Sequence, residues 1–175
     1  MSQSLSIREL VSLDEARALE PVIFQYMRFV CGSIETNYQI VVAPEGPARQ
    51  MMETLENYVA PKGRCFLAEA DGEAIGMVFL RPLPTGDMEI KRLFVLPKGR
   101  GTGAGSRLAR HVIDAATSAG VARLYLDTLP FMETAIGLYG RLGFQETSAY
   151  PGSEVAEYGE LAPYAMFMVK DLKAG

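Results

Sequence analysis

Apolar and polar positions follow two rhythms along this chain. Over Ser6–Val11 the alternation has a period of two, which predicts an opening strand. Ser12-Leu13-Asp14-Glu15 then reads as a helix start, a hydroxyl followed three residues later by an acid. The helix runs to about Val30, and Pro21 either breaks it or opens a new first turn. Cys31–Pro47 shows little periodicity and holds Gly32, Asn37, Pro44, Gly46 and Pro47, so a loop is expected. Over Ala48–Tyr58 the apolar residues Met51, Met52, Leu55 and Tyr58 return at helical spacing.

The middle of the chain changes to strands. Cys65–Ala70 and Ala74–Leu80 are rich in Phe, Ile, Val and Leu, and Asp71-Gly72-Glu73 between them predicts a hairpin. Met88–Leu96 is the next strand. Lys91-Arg92 interrupts its alternation and Leu93, Phe94 and Val95 are apolar in a row, a slip of phase that predicts a bulge. A glycine-rich loop leads into a helix ending near Ala119, with Leu108, Val112 and Ala115 on one face. Ala122–Asp127 is expected as a strand, Pro130–Leu142 as a helix and Tyr164–Val169 as the last strand. With no repeat and no linker, the 175 residues are expected to form one α/β domain.

Composition narrows the chemistry. The longest nearly unbroken apolar run, Ala74–Leu80, falls far short of the ~18–20 residues of a membrane span. Residues Met1–Glu9 lack the basic start and apolar stretch of a secretion signal, so a cytoplasmic location is expected. Two cysteines, Cys31 and Cys65, form neither a disulfide framework nor a zinc cluster. The single histidine, His111, sits among the polar residues of a helix, so chemistry without metal and without histidine is expected. The net charge of −4 argues against a nucleic-acid surface. Yet Arg81–Arg110 carries seven basic residues against Asp87 and Glu89, whereas Phe144–Ala165 holds four glutamates and no base. A basic centre suits a small polyanion, and acidic surroundings suit a cationic second substrate.

The polyanion has an obvious seat. Val95-Leu96-Pro97-Lys98-Gly99-Arg100-Gly101-Thr102-Gly103-Ala104-Gly105-Ser106 joins a strand to a helix with four glycines in seven residues. Glycine admits a ligand to the backbone, and the helix N-terminus adds positive potential, so the loop is an anion site of the kind that holds phosphate. It is no P-loop, because no Lys-Ser or Lys-Thr pair follows. Gly99-x-Gly101-x-x-Ala104 with Asp127 downstream formally fits a dinucleotide fingerprint. Against that, two residues separate strand from glycines, the unit follows a hairpin, and only 48 residues remain after Asp127.

Arg100-x-x-Gly103-x-Gly105 resembles the pyrophosphate motif of the GNAT (Gcn5-related N-acetyltransferase) family. The likeness extends to the strand Glu89–Val95 before it, to Pro97, to the hairpin Phe66–Leu80, and to Ala135-x-x-Leu138-Tyr139-x-x-Leu142-Gly143-Phe144 downstream. The resemblance implies a mixed, mainly antiparallel twisted sheet with helices on both faces and a splayed parallel pair at its centre. It implies acetyl-CoA as acyl donor, with no metal, and direct attack of a primary amine on the thioester. Arg100, Gly101, Thr102, Gly103, Ala104, Gly105 and Ser106 would take the pyrophosphate. Leu93, Phe94 and Val95 would pair with the pantetheine arm and offer an N–H to the reacting carbonyl. Met132 stands where many members carry an asparagine that contacts the cofactor.

Two proton transfers remain. A substrate ammonium, of pKa near ~10.4, must lose its proton to a base. Glu89, on the strand that presents the thioester, is the first candidate and Asp127 the second. The leaving thiolate, of pKa ~8.5, must regain a proton, and Tyr139 matches the family's tyrosine acid. By analogy Cys31–Pro47 and Ser148–Pro163 line the acceptor site, with Tyr38, Tyr150 and Tyr158 as aromatic walls. The acceptor is a small-molecule or peptide amine, and Glu154, Glu157 and Glu160 suggest that it is cationic. Homodimers are common among such folds. Two other classes stay open: a non-catalytic acyl-CoA-binding module and a nucleotide-dependent oxidoreductase.

Overall fold

The computed structural model describes residues 4–155 and 159–172. Seven strands form one sheet in the order β1-β2-β3-β4-β5-β7-β6. They are β1 (Leu5–Leu10), β2 (Arg64–Ala70), β3 (Glu73–Pro82), β4 (Met88–Val95), β5 (Arg123–Thr128), β6 (Gln145–Thr147) and β7 (Met166–Asp171). Every neighbouring pair is antiparallel except β4 and β5, which run parallel. The helices are α1 (Leu13–Arg17), α2 (Glu20–Tyr38), α3 (Glu45–Glu53), α4 (Ala104–Ser118) and α5 (Glu133–Arg141). Among the described residues no helix is long and apolar enough to cross a membrane.

The sheet separates two cores. On one face α2 and α3 bury Ile23, Met27 and Met51 against Met77, Phe79 and Phe94. On the other, α4 buries Leu108 and Val112 and α5 buries Tyr139 against Val78, Leu80, Ile90 and Leu126. Each such aliphatic side chain contributes about 1.5–3 kcal/mol on leaving water. Strand residues thus alternate between two buried faces, and the central strands read as near-continuous apolar runs.

Local chemistry explains most boundaries. Glu15 N donates to the Ser12 hydroxyl at 3.2 Å, and Val11 N donates to the Glu15 carboxylate at 2.8 Å, so α1 is capped from both sides. Pro21 lies in the first turn of a new helix, where its missing N–H costs nothing. The loop expected over Cys31–Pro47 is mostly helix: α2 continues to Tyr38 and α3 begins at Glu45. Ile23, Met27, Cys31 and Ile34 keep one buried stripe going. The intervening polar side chains bond back to the helix, Ser33 to the Phe29 carbonyl, Thr36 to Gly32 and Asn37 to Ser33, each at 2.8 Å. The helix expected over Ala48–Tyr58 starts earlier and yields to a 3₁₀ turn at Leu55–Tyr58. Helix α5 begins at Glu133 rather than Pro130, because Leu129–Met132 closes a turn of its own. The short strand β6 was not anticipated, and β7 starts two residues later than its pattern suggests.

Candidate active site

Strand β4 opens the site. Met77 pairs with Phe94 but Phe79 pairs with Lys91, so β4 carries one residue more than β3 across this stretch. The extra residue is absorbed at Arg92, whose φ is 54°. The bulge foreseen at Lys91-Arg92 is therefore present, and it reverses the phase: Ile90 packs in one core and Phe94 in the other. Lys91 and Arg92, neighbours in sequence, consequently line the same cleft. On the other edge, β4 pairs with β5 only through Met88–Leu124, Glu89–Tyr125 and Ile90–Leu126. Beyond Ile90 the two parallel strands part, although β4 runs on to Val95 and β5 to Thr128. The β5-facing edge of Leu93, Phe94 and Val95 is left without a strand partner among the described residues.

The glycine-rich loop closes the end of this gap. Gly101 and Gly103 hold φ of 80° and 84°, a region that L side chains rarely adopt. A Cβ on either would meet open space, so the loop faces outward with nothing over it. Gly103 caps α4, and its carbonyl accepts the first helical bond from Arg107 N at 3.0 Å. Among the described residues the N–H groups of Gly101, Gly103, Gly105 and Ser106 have no backbone acceptor. A Cβ on Gly105 would touch Val95 at 3.6 Å and Leu138 at 3.9 Å, so α4, β4 and α5 converge here. Of the basic residues, Lys98 pairs with Glu73 at 2.6 Å, Arg107 donates to the Leu5 carbonyl at 2.6 Å, and the Arg100 guanidinium lies 6.0 Å from the Phe29 ring.

A charged cluster lies behind the bulge. Lys91 is almost fully buried, and its Nζ donates to both oxygens of Asp127, at 2.9 and 3.1 Å. It also stands 3.6 Å from Glu89 and 3.5 Å from Glu154. Glu89 is fully sealed at 0% exposure. Arg81 Nε donates to its Oε2 and the Tyr150 hydroxyl to its Oε1, both at 2.6 Å. Burial pushes the Glu89 carboxyl above its ordinary range, and the opposing charges of Lys91 and Arg81 only moderate this. Burial acts on Asp127 too, but the charge and hydrogen bonds of Lys91, with the Ser153 hydroxyl at 2.9 Å, leave it below the usual value. Glu154 is likewise lowered, since Lys91, Arg92 and Arg81 outweigh its burial. Lys91 is raised by its three carboxylates and stays an ammonium. Three basic side chains thus face three acidic ones.

Two clefts open onto this cluster. One, of about 440 Å³, is walled by α2 residues such as Val30 and Ile34, by Ile40 and Val42, and by Lys91 and Asp127. Its wall also includes Met132, so a thioether occupies the position where an asparagine was looked for. The other, of about 460 Å³, is more polar and includes Gln50, Asn57, Lys62 and Arg81. Arg92 and Glu154 line both. Tyr139 lines neither cleft; it is buried near Tyr26 and Asp127 of the apolar one, and burial with these two raises its phenol. Among the described residues no partner binds its hydroxyl, yet it is not among sealed unpaired atoms, so the oxygen reaches accessible space.

The remaining expectations fall in several places. Cys31, Ile34, Ile40, Val42 and Pro47 do line the apolar cleft, although much of their segment is helical. Tyr38 stacks on Tyr164 with centroids 4.2 Å apart, and Tyr150 is spent on Glu89. Glu154 and Glu160 reach the cleft, whereas Tyr158 and Glu157 lie outside the described residues. Arg81, Ser153 and Tyr58 were not foreseen. Arg81 was within reach of a register argument, since the hairpin pairs it with Glu89.

Comparison with known proteins bears on the same elements. The model of the acetyltransferase (GNAT) family matches residues 33–144, which include α4, β5, α5 and the bulged strand. The chain belongs to the GNAT family. Among curated proteins this GNAT chain is 32% identical over 96 residues to YjgM of Escherichia coli, described as an uncharacterized N-acetyltransferase. That match covers 53% of this chain and 58% of YjgM, so less than two thirds of the relative is spanned. It is also 32% identical over 119 residues to an IAA acetyltransferase of Azospirillum brasilense, covering 67% of this chain and 74% of that one. In architecture it resembles the PaiA N-acetyltransferase of Thermoplasma acidophilum, solved with coenzyme A, at a TM-score of 0.73 and 18% identity over 96% of this chain and 99% of that one. A GNAT acetyltransferase of Staphylococcus aureus gives 0.70 and 20%, over 97% and 100%.

Proposed function

We propose that this chain moves an acetyl group from acetyl-CoA to a primary amine, as one acyl-CoA N-acyltransferase domain. The observation that carries the reading is the union of a parted β4–β5 pair with an outward-facing loop of unpaired N–H groups at the start of α4. A pyrophosphate suits that loop, because N–H groups without backbone acceptors lie at a helix N-terminus where Gly101 and Gly103 put no Cβ in the way. Arg100 through Ser106 would hold it, and the free edge of Leu93–Val95 would align the pantetheine amides. When bound, acetyl-CoA supplies the activated thioester that the amine attacks.

The chain's own residues then do three things. They hold the amine in the apolar cleft beside Lys91 and Asp127, where alignment replaces a large part of the entropic barrier. They take its proton: Asp127 lies on the cleft wall to accept it, directly or through water. Glu89 is sealed behind Arg81 and Tyr150, so we assign it a positioning role, holding Arg81 and Lys91 in place. Tyr139, with its raised phenol, protonates the departing thiolate.

The test is thiol release from acetyl-CoA against a panel of amines, with pH profiles of two variants. Asp127→Asn is expected to lose ~10²-fold or more in kcat and to regain part of it as pH rises toward the amine's own pKa. Glu89→Gln is expected to raise KM while keeping the wild-type pH profile. If instead Glu89→Gln shows that recovery and Asp127→Asn keeps the wild-type profile, the two assignments are reversed. A protein that binds acetyl-CoA but releases no thiol with any amine is the non-catalytic binding module.

A further inference from the structure

Resting on that reading, we infer that the acceptor amine also carries a carboxylate, and that Arg81 and Arg92 hold this carboxylate in the polar cleft. The wall of that cleft includes three cations, Lys62, Arg81 and Arg92, and the carboxylate of Glu154. The guanidinium groups have donors to spare. Arg81 engages Glu89 with both Nε and Nη2, and Nη2 also reaches the Gly152 carbonyl, which leaves Nη1, no nearer than 3.8 Å to Glu154. Arg92 gives Nη1 to the Tyr58 hydroxyl at 2.6 Å and has only a long 3.4 Å contact from Nη2 to Glu154. Each guanidinium presents five N–H donors in a plane, a match for the two oxygens of a carboxylate. Among the described residues these are unspent donors facing a cleft.

The backbone at Arg92 points the same way. A φ of 54° is uncommon for any residue but glycine, and bulges commonly place glycine there. This chain puts an arginine in that conformation, which turns its guanidinium to the wall shared by both clefts. Glu154 shares the wall, so the Arg92–Glu154 pair offers an anion and a cation to a ligand bearing the opposite two. The amine then lies toward Asp127 and the acid toward Arg81. The chemical class is an amino acid, or a short amino-acid derivative with its acid free.

The experiment uses matched pairs. Standard amino acids, β-alanine and γ-aminobutyrate are each assayed with acetyl-CoA against their own carboxamides, and both sets are tested for a rise in melting temperature without acetyl-CoA. At least one acid is expected to exceed its amide by about 30-fold or more in kcat/KM, with the difference in KM. In Arg92→Lys and Arg92→Gln that ratio is expected to shrink at least tenfold on the same scale. Only the acids are expected to raise the melting temperature, and the rise is expected to vanish in the Arg92 variants. Amides as good as acids throughout overturn the inference, as does a ratio unchanged in both variants. Calorimetry with acetyl-CoA keeps the two readings apart. If acetyl-CoA does not bind, the transfer reading falls, yet acids that raise the melting temperature through Arg92 still support the carboxylate site. If acetyl-CoA binds and no acid is preferred in either assay, the carboxylate site alone is overturned.

Discussion

Removing one oxygen from Tyr139 isolates the acid step. Tyr139→Phe keeps the packing of its ring against Phe144 and takes away only the donor that reaches accessible space. We expect kcat to fall by ~10²-fold or more with acetyl-CoA affinity unchanged, checked by steady-state kinetics beside calorimetry. A loss below about threefold while chemistry limits the rate would remove the role. Tyr139 was legible in the sequence because its motif fixes both the residue and its neighbours. The carboxylates were less so. Glu89 and Asp127 end up on adjacent paired strands and sit on either side of Lys91. Which of them a substrate reaches depends on Arg81, from the paired strand β3, and on Tyr150, from a distant segment, which together seal Glu89. Spacing along β4 carries no trace of that.

At the scale of elements, β4 illustrates what a pattern can and cannot say. Its slipped phase announced the bulge, because two adjacent polar residues in a buried strand must share a face. The parting of β4 from β5 had no such signature, since strand separation is a matter of where hydrogen bonds stop. The helix α2 shows the opposite failure. Gly32, Asn37, Pro44, Gly46 and Pro47 suggested a loop from Cys31 on, but the stripe ending in Ile34 outweighs the helix-breaking propensities of Gly32 and Asn37 once a core is there to receive it. We expect Ile34→Ala to lower stability by about 2–4 kcal/mol in denaturant melts, as a buried helix position would, and to disturb the apolar cleft it lines. A cost under about 0.5 kcal/mol would fit a surface loop and contradict the helix.

Across the whole molecule, the balance of charge around Lys91 governs how the protein meets acid. Asp127 and Glu154 have lowered pKa values, so their contribution is complete above the ordinary carboxylate range and is lost as pH falls through their folded values. Glu9, lowered by Arg64, acts the same way. Glu89 is raised, so its contribution has the opposite sign: it is present at low pH and is lost as pH rises through its folded value. We expect stability to fall as pH drops through the ordinary carboxylate range toward the lowered folded values, and the fall to be shallower in Asp127→Asn. An acid limb unchanged by that substitution would mean that the Lys91–Asp127 pair contributes no proton linkage. The two-faced sheet was legible from near-continuous apolar strands and amphipathic helices, but this closed network of three cations and three anions was not, because its members span Arg81 to Glu154. The central claim, an acyl-CoA cradle at the start of α4, is tested most directly by titrating acetyl-CoA, with NAD as control, into the protein and into Gly103→Val. Gly103 holds φ of 84° beside unpaired N–H groups, so a side chain there strains the loop and stands where the phosphates approach. The account predicts a Kd on the order of micromolar for acetyl-CoA, no heat with NAD, and binding weakened about tenfold or more in the variant. Equal affinity in both proteins, or binding of NAD in place of acetyl-CoA, would contradict it.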